Sequence, residues 1–252
     1  MAVLRRSRHP LVAAVTFLLA TAGCGSIGPT GPADPNAVSI VALGDSVPAG
    51  ANCHCTPYPE LTARLLTTSS RAVTATNDAV GGITTDGVLR QLQQDGPLVQ
   101  HVRAAHVVEV EVGANDVPHD DACGTDVSCY APQVPPLQAR LEAIVRRIHQ
   151  LTAGREVLVV LLDYWSVWLG GAYAQQQGPA YVTAVTQVTD LVNGAIRSTA
   201  SATGSTYVDL RAAFKGPDYA YDETRYLSDD GDHPNAAGHE QIADAVVAVV
   251  GR

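Results

Sequence analysis

Lysine is almost absent from this sequence of 252 residues, in which 16 basic residues stand against 25 acidic ones, for a formal charge of −9. The single lysine is Lys215. A surface that binds nucleic-acid phosphates needs clustered lysine and arginine, so nucleic acid is excluded as an expected partner. The 46% hydrophobic content is high enough for a substantial core. One folded domain of about 200 residues after a leader is therefore the economical interpretation.

The N-terminal apolar run, Leu11 to Ala20, is too short to cross a bilayer as a helix. It follows three arginines and precedes small residues, as in an export signal, and a buried core helix is the alternative. Ala22-Gly23-Cys24 resembles a bacterial lipoprotein signal, in which the cysteine is lipidated and becomes the first residue, although Thr21 stands where leucine is usual. We therefore predict a signal peptide over residues 1–23 and lipidation at Cys24.

Cleavage before Cys24 would remove three arginines and no acid, which leaves a mature charge of −12. Residues 24–37 are rich in glycine and proline and are predicted to form a flexible tether. The folded domain is predicted over residues 38–252. We expect an exported monomer that is anchored at the cell surface through Cys24, or secreted if it is not lipidated, with no other membrane contact.

The remaining cysteines are few and even in number, namely Cys53, Cys55, Cys123 and Cys129. In an oxidising compartment this indicates two disulfides, for which three connectivities are possible. Cys123 and Cys129 would close a short loop, which favours local pairing without establishing it. A metal site at Cys53-His54-Cys55 with a distant pair is the alternative, but it lacks the usual spacing of two to four residues between ligands.

Apolar runs of strand type alternate with segments of helical spacing along the domain, and no internal repeat is present. Strands are predicted at Val38–Gly44, Arg71–Val80, Val107–Gly113, Val157–Leu162 and Thr206–Leu210, and helices at Pro57–Leu66, from Thr85 through Gln94, from about Pro136 to Leu151, at Val182–Ala200 and at Asn235–Val249. This alternation predicts an α/β fold, a three-layer α/β/α sandwich around a five-stranded parallel sheet.

Glu109 and Glu111 do not fit a buried strand, because they alternate with valines in the third predicted strand. Both carboxyl groups would point to one face of the sheet. Buried carboxylates must be paired or protonated. We expect structural pairing, or a strand that is less buried than its valines indicate, and a catalytic role is the minor alternative.

Polar residues with catalytic potential follow four predicted structural elements. They lie in Gly44-Asp45-Ser46, in Ala79–Thr84 (A-V-G-G-I-T), in Gly113–Asp116 (G-A-N-D) and in Ser228–Asn235 (S-D-D-G-D-H-P-N). Each motif alone is typical of an ordinary turn or helix cap. Together they supply what a serine nucleophile needs: a base, a carboxylate that orients the base, and donors for an oxyanion.

The order of these motifs resembles the SGNH hydrolases, also called GDSL-type esterases and lipases, over Val38 to Arg252. The resemblance implies a flavodoxin-like sheet and a serine carboxylic ester hydrolase. It implies Ser46 as nucleophile, His233 as general base and Asp230 as the acid that orients it. The oxyanion hole would consist of the backbone N–H groups of Ser46 and Gly82 and the side-chain amide of Asn115. The leader adds the expectation of an actinobacterial-type exported lipoprotein.

Asp230 is preferred over its neighbours Asp229 and Asp232 because the family has the spacing D-x-x-H, and Asp45 is not expected to be the triad acid. The G-x-S-x-G elbow of α/β-hydrolases is absent around Ser46. The implied mechanism is two-step acyl transfer through an acyl-enzyme on Ser46. It requires no metal and no organic cofactor.

Aromatic residues after the fourth strand are candidates for substrate binding. Tyr164, Trp165 and Trp168 would lie at the same end of the sheet as Ser46 and would wall an acyl or sugar pocket, or else simply pack beneath a long loop. The loop over residues 117–136 is a second candidate rim. The expected substrate is a small or polymeric ester, either an O-acetylated carbohydrate or a short-chain lipid. The alternative function is a non-catalytic surface lipoprotein that binds glycan or lipid.

Overall fold

The computed structural model describes residues 36–251, and all structural statements below refer to that range. The predicted signal peptide, the lipidation site Cys24 and nearly all of the tether lie outside the described residues. Within that range, no helix combines the length and apolar character that crossing a membrane would require.

The centre of the fold is a five-stranded parallel sheet with the strand order β2-β1-β3-β4-β5. Its strands are β1 (Val38–Gly44), β2 (Val73–Asn77), β3 (Val107–Glu111), β4 (Leu158–Leu162) and β5 (Thr206–Val208). This is the flavodoxin-like order, and it confirms the predicted fold class. The order reverses between β1 and β3, so the crevice at the carboxyl end of β1 is the expected place for a ligand.

Nine α-helices are present in the described range: α1 (Tyr58–Leu66), α2 (Thr85–Gln94), α3 (Gly96–Ala104), α4 (Val127–Tyr130), α5 (Val134–Leu151), α6 (Gly171–Gln176), α7 (Pro179–Thr203), α8 (Leu210–Lys215) and α9 (Ala236–Val250). Helices α1, α8 and α9 pack together on one side of the sheet, and α2, α3, α5 and α7 pack together on the other. The five predicted helices are confirmed, α2 with the predicted ends and the other four with ends shifted by one to three residues. Helices α3, α4, α6 and α8 were not predicted.

The core forms because both faces of the central strands are covered. All five residues of β3 are buried. Helix α5 turns a stripe at helical spacing toward the sheet, formed by Leu137, Leu141, Ile144, Val145 and Ile148. The continuous apolar runs of the strands are therefore the sequence signal of burial on two faces.

Glu109 and Glu111 are both fully buried, so the strand is as buried as its valines indicate. In the described range the carboxyl group of Glu109 has no hydrogen-bond partner, so the expected pairing is wrong for this residue, whereas the hydroxyl of Tyr58 lies close enough to Glu111 to favour its charged form. Burial, followed by the nearby charge of Glu60, raises the pKa of Glu109 to about 8. Burial and then the charge of Asp45 raise the pKa of Glu111 well above its usual range. Both carboxyl groups are therefore protonated at neutral pH.

A Glu109→Gln variant is expected to be more stable than the unmodified protein at pH 7 but equally stable near pH 4.5. The folded chain keeps the Glu109 proton up to about pH 8, whereas an exposed carboxyl group loses it at 4.5. Stability therefore falls as pH rises between these values, and glutamine removes this dependence. At pH 7 the free energy of unfolding of Glu109→Gln should exceed that of the unmodified protein by about 3 kcal/mol. Urea unfolding at both pH values measures it.

The matched control for this experiment is Glu156→Gln, which changes an exposed glutamate. It should leave the pH dependence of stability unchanged. If Glu109→Gln and the unmodified protein show the same slope of unfolding free energy between pH 4.5 and 8, Glu109 is not protonated in the folded state.

The cysteines of the domain form two local pairs. The sulfurs of Cys53 and Cys55 lie at disulfide distance, as do those of Cys123 and Cys129. Of the three connectivities, the structure therefore favours the one between sequence neighbours. Each pair stiffens a loop and joins no distant parts of the fold.

Candidate active site

The loop after β1 carries Ser46 and begins with a close approach of two strands. Asp45 donates its backbone N–H to the carbonyl of Glu111 at 3.0 Å. Gly44 has a φ of +150°, and a Cβ at this position would lie 2.0 Å from the same carbonyl oxygen, so only glycine fits. Ser46 follows at the carboxyl end of the strand and is partly exposed.

Asp45 supports the turn after β1 and does not contact the histidine. Its carboxylate accepts the hydroxyl of Tyr164 at 2.6 Å and the backbone N–H of Val47 at 3.1 Å. Burial raises its pKa to about 6, against the opposing effect of these two hydrogen bonds. The geometry agrees with the expectation that Asp45 is not the acid partner of His233.

Asp230 and His233 lie together in the loop before α9. The two side chains form a hydrogen bond of 2.7 Å between His233 Nδ1 and Asp230 Oδ2. Asp230 Oδ1 accepts the backbone N–H groups of Asp232 and His233, both at 3.0 Å. Burial would raise the pKa of Asp230, but the backbone N–H groups and the side chains of Asn52 and His233 donate to the carboxylate and lower the pKa to about 2.

An ionised carboxylate accepts hydrogen bonds only, so Nδ1 of His233 carries the proton and Nε2 is free to act as a base. The competing acids are less well placed. Asp232 lies 3.9 Å from the same nitrogen, and Asp229 makes no contact with it among the described ion pairs. The D-x-x-H spacing therefore selects the carboxylate that orients the ring.

Asn115 lies in a short 3-10 turn after β3, in Ala114–Asp116. Its side-chain amide donates to the carbonyl of Ile83 at 3.1 Å, which leaves its second N–H available. The next residue, Asp116, accepts the backbone N–H and the hydroxyl of Thr85 at 2.8 and 2.6 Å. These bonds hold the G-A-N-D turn against the Gly-Gly loop that follows β2.

The Gly-Gly loop passes beside the serine. A Cβ on Gly81 would lie 3.9 Å from Cβ of Ser46, whereas a Cβ on Gly82 would meet nothing within 4 Å. Gly82 has a φ of +76°, which favours glycine. The assignment of Gly82 as an oxyanion donor stays a prediction.

Ser46, Asn115 and His233 line one cavity of about 420 Å³. In the described range no hydrogen bond joins the Ser46 hydroxyl to the imidazole, and such contacts often tighten only when substrate binds. The three residues come from the ends of β1 and β3 and from the loop before α9. These three predicted site residues therefore meet at the cavity, whereas Gly82 and Asp230 do not line it.

The predicted substrate residues Tyr164, Trp165 and Trp168 line the same cavity. Each is almost fully buried, and each belongs to the hydrophobic core. Trp168 donates its indole N–H to the carbonyl of Val117 at 2.8 Å, and Trp165 stacks on Phe214 with ring centroids 4.3 Å apart. These rings therefore both pack in the core and line the cavity, and their role in substrate binding stays a prediction.

The cavity is also lined by His119, from the loop over residues 117–136, and by Tyr181, from α7. The His119 ring lies 4.9 Å from Trp168 and 5.4 Å from Tyr181, measured between ring centroids. The rim loop was predicted from the sequence, but Tyr181 was not. Its sequence signal is indistinguishable from that of the core-facing residues of α7.

One group of potential metal ligands occurs in the described range, formed by Cys53, Cys55 and His239, whose ligand atoms lie within 4.8 Å of one another. The two sulfurs lie at disulfide distance. Nδ1 of His239 accepts the backbone N–H of Tyr58 at 3.3 Å, so in the neutral ring Nε2 carries the proton. Neither arrangement suits a metal ligand.

Comparison with known families decides the class of protein. Residues 42–241 match the model of the GDSL-like lipase/acylhydrolase family. The chain belongs to this family. That membership confirms the predicted SGNH resemblance and the class of enzyme, a carboxylic ester hydrolase. The chain has no significant match among the curated proteins.

Solved structures of similar fold include lipases and an esterase. A lipase from goat rumen metagenome superposes with a TM-score of 0.66 at 19% identity, over 84% of this chain and 96% of that one. An extracellular lipase from Streptomyces rimosus superposes with a TM-score of 0.64 at 20% identity, over 84% of this chain and 100% of that one. An acetylxylan esterase from Geobacillus stearothermophilus superposes with a TM-score of 0.60 at 19% identity, over 85% of this chain and 94% of that one. At these identities the likeness shows the shared fold.

Proposed function

We propose that this GDSL-type hydrolase cleaves short-chain carboxylic esters through an acyl-enzyme on Ser46. The observation that carries the proposal is the single cavity lined by Ser46, Asn115 and His233, together with the 2.7 Å hydrogen bond that fixes the imidazole to Asp230. His233 takes the hydroxyl proton while Ser46 Oγ attacks the ester carbonyl. The same proton then passes to the leaving alcohol.

The negative charge of the tetrahedral intermediate needs donors fixed in advance. The free N–H of Asn115 and the backbone N–H groups of Ser46 and Gly82 are proposed for this role. Water then attacks the acyl-enzyme, again with His233 as base. Every proton in this sequence is carried by the protein, the alcohol or water, so the residues present complete the reaction.

The cavity wall indicates the kind of ester. In the described part of the chain neither lysine nor arginine lines the cavity, whereas Asp121 and Asp232 do. Aromatic edges supply its apolar part. These features favour a neutral ester with a short acyl group, and they disfavour an acyl group that carries a carboxylate. An O-acetylated carbohydrate and a short-chain lipid ester both fit.

The experiment is hydrolysis of p-nitrophenyl acetate, butyrate and longer esters by the domain, with labelling by a fluorophosphonate and location of the adduct by mass spectrometry. We expect turnover of the short esters and an adduct on Ser46. A p-nitrophenyl hemisuccinate, matched to the butyrate in length, should react about tenfold more slowly because like charges repel. Absence of both turnover and labelling would leave the non-catalytic binding protein as the function.

We also propose that the protein is exported and anchored through Cys24. The support is the order of arginines, apolar run and small residues before Cys24, followed by a glycine- and proline-rich segment. An acidic domain with two local cysteine pairs at disulfide distance suits an oxidising compartment outside the cytoplasm.

A further inference from the structure

The loop that carries Ser46 also reaches the acid–base pair. Ala51 donates its backbone N–H to the carbonyl of Ser46 at 3.0 Å, and the next residue, Asn52, turns its side chain toward Asp230. Asn52 Nδ2 donates to Asp230 Oδ2 at 2.5 Å, although the two residues are 178 positions apart in the sequence. The nucleophile and the acid are therefore joined through one short segment.

The backbone at Asn52 allows this contact because its φ is +57°, in the left-handed region. Asparagine enters this region more readily than other non-glycine residues. The carbonyl of Asn52 accepts the hydroxyl of Ser228 at 3.3 Å, which fixes the segment to the same loop that holds Asp230. The backbone of Asn52 is therefore fixed by Ser228, and its side chain is fixed by Asp230.

The carboxylate of Asp230 is surrounded by donors. Its Oδ1 accepts two backbone N–H groups, and its Oδ2 accepts both His233 Nδ1 and Asn52 Nδ2. Asn52 Nδ2 also lies 3.5 Å from His233 Nδ1. The amide thus fixes the plane of the carboxylate, and through it the direction of the imidazole.

We propose that Asn52 is a positioning residue that holds the Asp230–His233 pair in register with Ser46. This inference rests on the proposed acyl transfer, in which a small misalignment of a base is costly. It adds to the triad a residue from the nucleophile loop. Asn52 does not itself line the cavity, and it acts through Asp230 and the Nδ1 side of His233.

The test compares Asn52→Gly with Asn52→Asp. Glycine accepts the left-handed backbone and removes only the side chain. Aspartate keeps the shape but places a second carboxylate against Asp230. We expect Asn52→Gly to lower kcat on p-nitrophenyl acetate about tenfold, as for loss of one hydrogen bond to a charged group. Asn52→Asp should lower kcat further. In both variants KM should stay within about twofold of the value for the unmodified protein.

The matched control is His54→Gly, because His54 lies in the same loop and also has a left-handed φ, of +51°. It should leave kcat unchanged within about twofold, since its side chain makes no hydrogen bond to Asp230 among the described contacts. A second readout is the downfield proton resonance of His233 Nδ1–H, which should shift or broaden in Asn52→Gly but not in His54→Gly. Thermal unfolding of all three variants checks that they are folded.

Unchanged kcat in both Asn52 variants, a loss confined to KM, or an equal loss in His54→Gly would each overturn the inference. Failure of the proposed function is distinguishable. In that case the unmodified domain hydrolyses no ester, while the Nδ1–H resonance still reports whether Asn52 orients the pair.

Discussion

Replacing Ser46 by alanine is expected to lower kcat on p-nitrophenyl acetate by about 10⁴- to 10⁶-fold, because the acyl-enzyme can no longer form. The folded structure should be kept, since the Ser46 hydroxyl makes no hydrogen bond in the described range and the turn is held by backbone contacts. The measurement is initial rate with the variant at high concentration, beside a thermal unfolding curve. Labelling by fluorophosphonate should disappear with the activity.

The sharper form of this experiment adds His233→Ala to Ser46→Ala. Residues that act as one unit show non-additive losses, so the double variant should be no slower than the single one. Ser128→Ala, which changes an exposed serine, is the control and should behave as the unmodified protein. More than a tenth of the original rate in Ser46→Ala would place the nucleophile elsewhere.

The second large effect is expected from Asn115→Ala. Loss of one oxyanion donor costs about 10²- to 10³-fold in kcat. The Asn115 amide uses one N–H on the carbonyl of Ile83, at 3.1 Å, and the other is free for the intermediate. KM should change little, because the donor matters most when charge has developed on the carbonyl oxygen.

Asn115→Asp separates this role from a purely structural one. It keeps the size of the side chain, removes both N–H groups and adds a negative charge beside the developing oxyanion. Its kcat should fall at least as far as that of Asn115→Ala. A loss below about fivefold in both variants, with normal thermal unfolding, would show that Asn115 only holds the loop at Ile83.

Strands β1 and β4 were predictable because parallel strands covered on both faces carry nearly continuous apolar runs. Helix α3 was not predictable, because Asp95-Gly96-Pro97 is typical of a break between two elements. Asp95 in fact ends α2 and also caps α3 by accepting the backbone N–H of Leu98. In the same way Asp209 begins α8 at a point where Leu210 was predicted to continue β5. Short helices joined by one shared cap leave no periodic stretch long enough to detect.

The site was predictable where its residues follow one another in a motif. Asp230 and His233 are three positions apart, and that spacing alone brings them together. Asn52 and Tyr181 were not predictable, because their contacts depend on how distant loops fold back over the sheet. The buried carboxyl groups are an intermediate case. Their burial followed from the strand pattern, but whether each carboxyl group has a hydrogen-bond partner depends on every side chain around it.

Three buried acids, one in β3 and two directly after β1 and β4, set the pH at which the protein is most stable. Raised pKa values at Glu109, Asp163 and Asp45, of about 8, 7 and 6, mean that stability falls as the medium becomes more alkaline. Burial lowers the pKa of His239 from 6.5 to about 4, so the contribution of this histidine to stability is lost as the pH falls between these two values, against the larger combined effect of the three acids. A mildly acidic buffer should preserve the purified protein best.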